Sequence, residues 1–287
     1  MFSDDVQYIM NQRRPIETIV TVNLSIQTDL KWHKQPPLRT YSSLPRSVSP
    51  LSGEFKAMTE IPNHSHPWSQ LAYSSKGIMH IVTDAGTFVI PPEQALWLPP
   101  NIYHQHFCKN EVSYRSLHID PVLSEILGDK VRPLTIDPLL RSLILEITSW
   151  SKDYQETEQS KRLIQVLIDR LAIAQSNELF MPTINDKRLL PIIEKLNHQP
   201  ANKLTIEQWA LKVGASSRTL NRLFNKHYGM GFSRWKQKLR ILKSLEMLNT
   251  NAQLVDIAFE LGYESTSAFI TGFKKQLGCS PKKYLAN

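Results

Sequence analysis

The sequence predicts two domains, an all-β barrel or double-sheet jelly roll followed by an all-α domain with two helix-turn-helix units. Between residues 51 and 120, short apolar segments alternate with Gly and Pro, which is typical of closely spaced strands. From residue 138 to residue 178 the apolar residues recur at helical spacing. In the last third of the chain, one pattern of small, Gly and apolar residues occurs twice. A length of 287 residues fits two domains of ordinary size.

The first 50 residues form a lead-in segment for which the sequence defines no fold. An apolar, β-branched stretch between Arg14 and Asp29 is compatible with a strand, and a stretch with several Pro and Ser residues follows it. Neither a signal-peptide pattern nor a run of the ~18 apolar residues that a membrane helix needs occurs in the sequence. We therefore expect a cytoplasmic protein that makes no membrane contact.

The β domain is predicted at 51–135, with a hairpin turn at Asp84-Ala-Gly86. Its candidate strands lie at 54–59, 70–74, 78–83, 87–90, 95–98, 104–108 and 114–119. Residues i and i+2 of a strand face the same side, so His64 and His66 are expected to point together into the barrel. With Gln70 and His104 from neighbouring strands they form a set of three imidazoles and one amide, which predicts a site for a divalent metal ion.

This set resembles the two motifs of the cupin superfamily, H-x-H-x3,4-E followed by Gly, and then Gly, a Pro-containing turn and His. The resemblance implies a small jelly-roll barrel, although this chain has Gln70 where metal-binding cupins usually carry Glu. Three interpretations stay open: a metal site, a metal-free effector pocket, and His residues that only pack. Trp97 and Tyr103 extend the candidate effector-binding set. His80, His106 and His118 are predicted to be ordinary strand residues. Of these, His118 could face the same cavity.

Residues 136–185 are predicted to form linking helices. One apolar stripe runs from Leu139 to Ile147 and another from Leu163 to Ala174, and a linker at 180–186 follows. The stripes fit either packing on the barrel or the interface of a homodimer.

The C-terminal domain, predicted at 186–287, contains the repeated unit. Ala210-x3-Gly214-x5-Leu220-x3-Phe224 is followed by Ala258-x3-Gly262-x6-Phe269-x3-Phe273. In each unit a small residue lets two helices cross closely, Gly makes the turn, and the second helix buries an apolar residue and a Phe. This domain also has 17 Lys+Arg against 7 Asp+Glu, a net of +10 in a chain whose total is +8. Because basic surfaces release counterions from phosphates, the domain is predicted to bind double-stranded DNA.

The second helix of each unit is predicted to lie in the major groove. In the first unit, from Ser216 or Ser217 to about His227, the candidate contacts are Arg218, Thr219, Asn221, Arg222 and Asn225. Arg pairs well with guanine and Asn with adenine. In the second unit the candidates are Thr266, Ser267, Ile270, Thr271, Lys274 and Lys275. The first four of these have short side chains that suit backbone positioning, so the first unit is expected to carry more sequence information.

A helix at 232–248 is predicted to join the two units and to expose a basic side, formed by Arg234, Lys236, Lys238, Arg240 and Lys243. Its length of ~25 Å suits a spacer between two reading helices that occupy successive major-groove turns, about 34 Å apart.

The residues Gly262-Tyr-Glu-Ser-x3-Phe269-x3-Phe273-Lys-Lys-x2-Gly278-x-Ser-Pro281-x3-Tyr284 resemble the signature of AraC/XylS-type transcriptional regulators. The resemblance extends from Arg188 to Leu285. It implies a cupin sensor that binds a small molecule or dimerises, promoter DNA as partner, and RNA polymerase as a further partner of an activator. It also implies base contacts by Arg218, Asn221, Arg222, Thr266, Ser267 and Thr271.

Two other classes of function remain as alternatives. A cupin metalloprotein or enzyme would need a general acid or base, and the carboxylates between the two His motifs are Asp84 and Glu93, both in apparent turns. The sequence therefore predicts a protein that is not an enzyme. A ligand-independent architectural DNA-binding protein would use the barrel only to dimerise.

Overall fold

The computed structural model describes residues 31–38, 43–92, 94–176, 180–182, 186–248 and 252–286. The candidate strand between Arg14 and Asp29 lies outside these residues. The N-terminal domain is a two-sheet barrel whose strands are β1 (His33–Lys34), β2 (Val48–Phe55), β3 (Thr59–His64), β4 (Ser69–Lys76), β5 (Met79–Thr83), β6 (Gly86–Ile90), β7 (Gln94–Leu98), β8 (His104–Cys108), β9 (Val112–Ile119), β10 (Arg132–Thr135) and β11 (Phe180–Pro182).

One sheet has the order β1-β3-β8-β5-β6-β11 and the other β10-β7-β4-β9-β2. The predicted fold class, an all-β jelly roll before an all-α domain, is confirmed. Two local predictions differ from the structure. The predicted strand at 54–59 is broken by a turn at Met58, whose φ is +60°, and the lead-in segment contributes β1 and the start of β2 to the sheets.

One short helix and two longer ones come after β9, namely α1 (Pro121–Ser124), α2 (Pro138–Ser149) and α3 (Glu158–Ile173). α2 buries Leu140, Leu143 and Ile147 against the outer face of the second sheet. In α3 the buried stripe is Ile164, Leu167, Ile168 and Leu171, whereas Val166 is 42% exposed. The predicted stripe is therefore wrong at Val166, whereas Leu163 packs partly buried against the same core.

The predicted linker at 180–186 is wrong in its first part, because 180–182 form β11. This strand pairs antiparallel with β6, with Phe180 opposite Phe88 and Pro182 opposite Gly86. A three-residue strand at the edge of a sheet carries too little periodicity to be recognised in the sequence. The chain thus returns to the barrel before it enters the C-terminal domain.

The C-terminal domain consists of α4 (Leu190–His198), α5 (Ile206–Lys212), α6 (Ser217–Tyr228), α7 (Phe232–Leu248), α8 (Leu254–Glu260), α9 (Thr266–Leu277) and α10 (Pro281–Ala286). The predicted capping box is confirmed, since Thr205 and Gln208 exchange hydrogen bonds at the start of α5. Ser216 caps α6 and Ser265 caps α9, each through its hydroxyl oxygen.

The joining helix α7 has the predicted bounds, but its predicted basic side is partly wrong. Lys238 is 5% exposed and Lys243 is 8% exposed, so neither lies on an open surface. α7 is covered on more than one side, because Ile78 and Val89 of the barrel belong to the same buried cluster as the apolar residues of the helical domain. The sequence gives the helix one apolar stripe and does not indicate that a second domain covers another face.

The equivalent turn glycines of the two units, Gly214 and Gly262, have φ values of +64° and +74°. A Cβ at Gly214 would meet open space, whereas one at Gly262 would lie 2.7 Å from Ala201 Cα and 2.9 Å from Arg240 Nη2. Gly214→Ala is expected to cost ~1 kcal/mol, the cost of a left-handed non-Gly residue. Gly262→Ala is expected to cost at least ~2 kcal/mol, because a backbone clash is added. Urea denaturation of both variants tests the difference, and equal losses would contradict it.

Candidate effector cavity and DNA-reading surface

A cavity of about 150 Å³ opens into the barrel on the side of the His residues. Its polar lining includes His64, His66, Gln70, His106, Tyr114 and His118, and its apolar lining includes Leu51, Ile61 and Trp68. An apolar cavity of this size accommodates a molecule such as benzene, whereas pockets for drug-sized ligands begin near ~300 Å³. The cavity therefore suits an ion or a very small molecule.

Three of the predicted residues, His64, His66 and His104, lie together, and their candidate ligand nitrogens are all within 4.8 Å of one another. The strand prediction behind this set was only partly right, since His64 ends β3 and His66 lies in the following loop. Each ring places Nδ1 2.8–2.9 Å from a backbone carbonyl oxygen, of Pro62, Trp68 and Ile102 respectively. Because a carbonyl only accepts, each Nδ1 donates its proton and each Nε2 of a neutral ring keeps its lone pair.

Burial keeps these rings neutral. Loss of solvent lowers the pKa of His64 and His66, and it lowers that of His104 further, with a contribution from the neighbouring His64. The Nε2 atom of His104 is buried and has no hydrogen-bond partner among the described residues. Metal-binding imidazoles commonly show this arrangement, with one nitrogen fixed by a backbone carbonyl and the other unpaired.

Gln70 directs its amide oxygen to the same cluster. Its Nε2 donates to the hydroxyl oxygens of Tyr114 at 2.7 Å and Ser116 at 3.0 Å, and its Oε1 lies 3.0 Å from His66 Nε2. A neutral His66 cannot donate from both nitrogens, so the Oε1–Nε2 pair brings two acceptors together. A cation bound by both atoms would satisfy them.

Two predicted effector contacts do not face the cavity. Trp97 is fully buried in the outer core beneath the helices, and its indole Nε1 donates to Gly128 O at 3.0 Å. Tyr103 packs with Val82, Phe107 and Trp32. Neither residue lines this cavity. For Trp97 on β7, the alternation of a strand assigns residues to two faces and does not say which face is inside; Tyr103 directly precedes β8.

His106 and His118, predicted to be ordinary strand residues, both line the cavity. Two residues after His104 on β8, His106 necessarily faces the same side, so this signal was present in the sequence. Tyr114 had no comparable signal. The described lining contains no carboxylate, and Glu93 lies outside the described residues.

The first reading helix, α6, presents three of its five predicted contacts to solvent, namely Arg218, Arg222 and Asn225. Thr219 is half-buried, and its hydroxyl lies 2.9 Å from that of Ser216 in the cap. The Asn221 side-chain oxygen accepts from the backbone N–H of Phe232 at 3.2 Å, at the start of α7. This contact assigns Asn221 a positioning role between α6 and α7, which the sequence pattern did not indicate.

The second reading helix, α9, exposes Ser267, Thr271, Lys274 and Lys275, while Thr266 is half-buried. Ile270 packs against the core of the domain, which leaves little of it for a DNA contact. The turn before α9 is held by Arg240 of α7. Its guanidinium lies over the Tyr263 ring at 5.6 Å, and its Nε donates to Pro200 O at 3.0 Å.

The fold and these surfaces are those of a two-domain regulator, in which a barrel with an internal cavity precedes a basic domain with two helix-turn-helix units. Residues 56–188 match the family model of the AraC-like ligand binding domain, and residues 209–287 match a helix-turn-helix domain model. The chain is 31% identical over 225 residues to the HTH-type transcriptional regulator NimR of Escherichia coli, which covers 78% of this chain and 82% of NimR. The chain belongs to the AraC family of DNA-binding transcriptional regulators.

The chain is also similar to more distant proteins. The virulence regulon transcriptional activator VirF of Yersinia enterocolitica is 27% identical over 208 residues, 67% of this chain and 72% of VirF. The structure of ToxT from Vibrio cholerae covers 84% of this chain and 98% of ToxT, with 13% identity and a TM-score of 0.35. None of the helices described here is long and apolar enough to cross a membrane.

Proposed function

We propose that this regulator responds to a divalent transition-metal ion held by His64, His66 and His104, with Gln70 as an oxygen donor. The observation that carries the proposal is the contact between Gln70 Oε1 and His66 Nε2, two acceptors 3.0 Å apart beside a buried and unpaired His104 Nε2. Three neutral imidazoles and one amide oxygen suit zinc, nickel or cobalt better than magnesium or calcium. In this role the protein binds an ion as a signal and performs no reaction.

A metal-free effector is the second candidate. The face of Trp68 stacks on His66 at 5.3 Å with an 8° interplanar angle, and Leu51 and Ile61 line the same cavity. These surfaces favour a planar molecule no larger than a single ring. Both candidate effectors would occupy the same cavity, and a titration with metal ions distinguishes between them.

Titration of the chelator-treated full-length protein with Co²⁺, Ni²⁺ and Zn²⁺ tests the proposal. One equivalent is expected to bind, and His104→Ala is expected to lose ~100-fold or more in affinity, because one of three imidazole ligands is removed. His118→Ala is the matched control, since His118 lines the cavity outside the cluster and its loss should leave affinity within ~3-fold. Failure of the wild type to bind any of the three ions would contradict the metal site and favour the metal-free effector.

On the DNA side, we propose that Arg218, Arg222 and Asn225 of α6 read bases. Ser267 and Thr271 of α9 make weaker groove contacts, and Lys274 and Lys275 bind phosphates. Exposure and residue chemistry support these roles. Thr219, Asn221, Thr266 and Ile270 are half-buried, and we assign them to positioning the reading helices.

We further propose that the protein acts on promoter DNA in the cytoplasm as a homodimer, and that it contacts RNA polymerase where it activates. Support for dimerisation comes from apolar side chains on α2 and α3 that remain exposed, with Leu139 at 51% and Ile173 at 67%. Both residues lie within 136–185, the segment predicted from the sequence to form linking helices.

A further inference from the structure

Glu246 of α7 joins the two domains through both of its carboxylate oxygens. Oε1 lies 3.1 Å from Nε2 of His80 on β5, and Oε2 accepts from Lys109 Nζ at 2.8 Å. His80 is 1% exposed, and the side chains of Lys109 and Glu246 are about one-fifth exposed. Burial by itself would raise the pKa of the Glu246 carboxyl, but the hydrogen bond from His80 and the charges of Lys109 and Lys243 outweigh it and hold that pKa well below its usual range.

This bridge lies on the outer side of β5 and β8, and the inner side of β8 contributes His106 to the lining of the effector cavity. Met79 of β5 lies next to that ring, with its sulfur 3.2 Å from His106 Nδ1. β5 pairs with β8, with His80 opposite Phe107. On β5, His80 faces α7 while its neighbours Met79 and Ile81 face the inner core. On β8, His104 and His106 face inward, and Lys109 directly follows the strand. A change in the cavity that moves either strand therefore reaches Glu246 within a few residues.

A positive charge of the DNA-binding domain is buried next to this bridge. Lys243, one turn before Glu246, is 8% exposed, and burial lowers its pKa to about 8 although Glu246 opposes this. Salt-dependent DNA affinity grows with the number of cations that reach phosphates. Lys109 of the barrel lies close enough to Lys243 to add to the lowering of its pKa, so the barrel borders this side of α7.

We propose that the contact of Glu246 with His80 and Lys109 is an autoinhibitory latch, which keeps the barrel docked on α7 and thereby weakens DNA binding until the cavity changes state. The latch rests on the regulatory function proposed above and is the contact through which a change in the cavity would reach the DNA-binding domain. Opening the latch exposes Lys243 and frees α7 from the barrel.

Lys109→Met in the full-length protein tests the latch, because the loss of a positive charge and the opening of the latch would change DNA affinity in opposite directions. Removing a cation would by itself weaken DNA binding, whereas opening the latch is expected to tighten it by ~5-fold or more, the lower end of typical couplings between sites. Binding is measured on a random-sequence duplex across a salt series. The slope of log K against log salt is expected to become more negative by ~0.9, the value for one added phosphate contact.

Glu246→Gln is the second variant, and Glu194→Gln, on an exposed residue of α4, is its charge-matched control. Glu246→Gln is expected to exceed the control in DNA affinity, and the double variant with Lys109→Met should add little, because both changes open one contact. Hydrogen exchange is expected to quicken in β5 and α7 in both variants. Faster exchange without tighter DNA binding would overturn the autoinhibitory role, and unchanged exchange would overturn the latch itself.

The random duplex and the exchange measurement require neither a target promoter nor a bound ion. If these experiments contradict the latch, the result of the metal titration still stands. If no metal ion binds, the results for the latch still stand.

Discussion

Phe273→Ala is expected to lower the free energy of unfolding of the C-terminal domain by about 3–5 kcal/mol, the usual cost of removing a buried aromatic side chain. Phe273 has no exposed surface, and its ring meets those of Phe269 at 5.7 Å and Tyr284 at 5.6 Å. The neighbours come from α9 and α10, so the cavity left by the ring cannot close without moving the second reading helix. Urea denaturation followed by far-UV circular dichroism measures the loss.

Phe259→Ala is the matched control for this prediction. Phe259 lies on α8 of the same unit but is 81% exposed, so its replacement should change stability by no more than ~0.5 kcal/mol. If the two variants unfold at similar urea concentrations, the second helix-turn-helix unit does not depend on the core described here. DNA binding by Phe273→Ala should also fall, because α9 would lose its support.

Arg222→Ala is expected to cost about 1–3 kcal/mol in binding to the preferred DNA site and to relax base preference at one position. Arg222 is exposed on α6, and Arg218 precedes it by one turn on the same helix. The preferred site is obtained by selecting bound duplexes from a random pool with the full-length protein. Affinities of both proteins for that site and for single-base variants of it are then compared.

Lys275→Ala provides the contrast. Lys275 is exposed in the last turn of α9, where a phosphate contact is expected, so its loss should weaken all duplexes alike and reduce the salt slope by ~1. If Arg222→Ala also weakens all duplexes alike, then α6 binds the DNA backbone and does not read bases.

The sequence by itself determined the elements whose signals are local. The capping box at Thr205 and Gln208, the turn glycines and the bounds of α7 follow from residues within one or two helical turns. The repeated unit also identified the family, because its small, Gly and Phe residues are required by the close crossing of two helices. The His set was found for a similar reason, since its spacing in the sequence already resembled a binding motif.

Only the tertiary structure decided which surface of each element is covered. Trp97 and Tyr103 proved to face outward from the barrel, and Lys238 and Lys243 lie beneath packed neighbours despite their charge. Periodicity gives the angle between side chains on one element, but the partner of each face depends on contacts between residues far apart in the chain. The pairing of His80 and Lys109 with Glu246 spans more than a hundred residues, and no local pattern could have specified it.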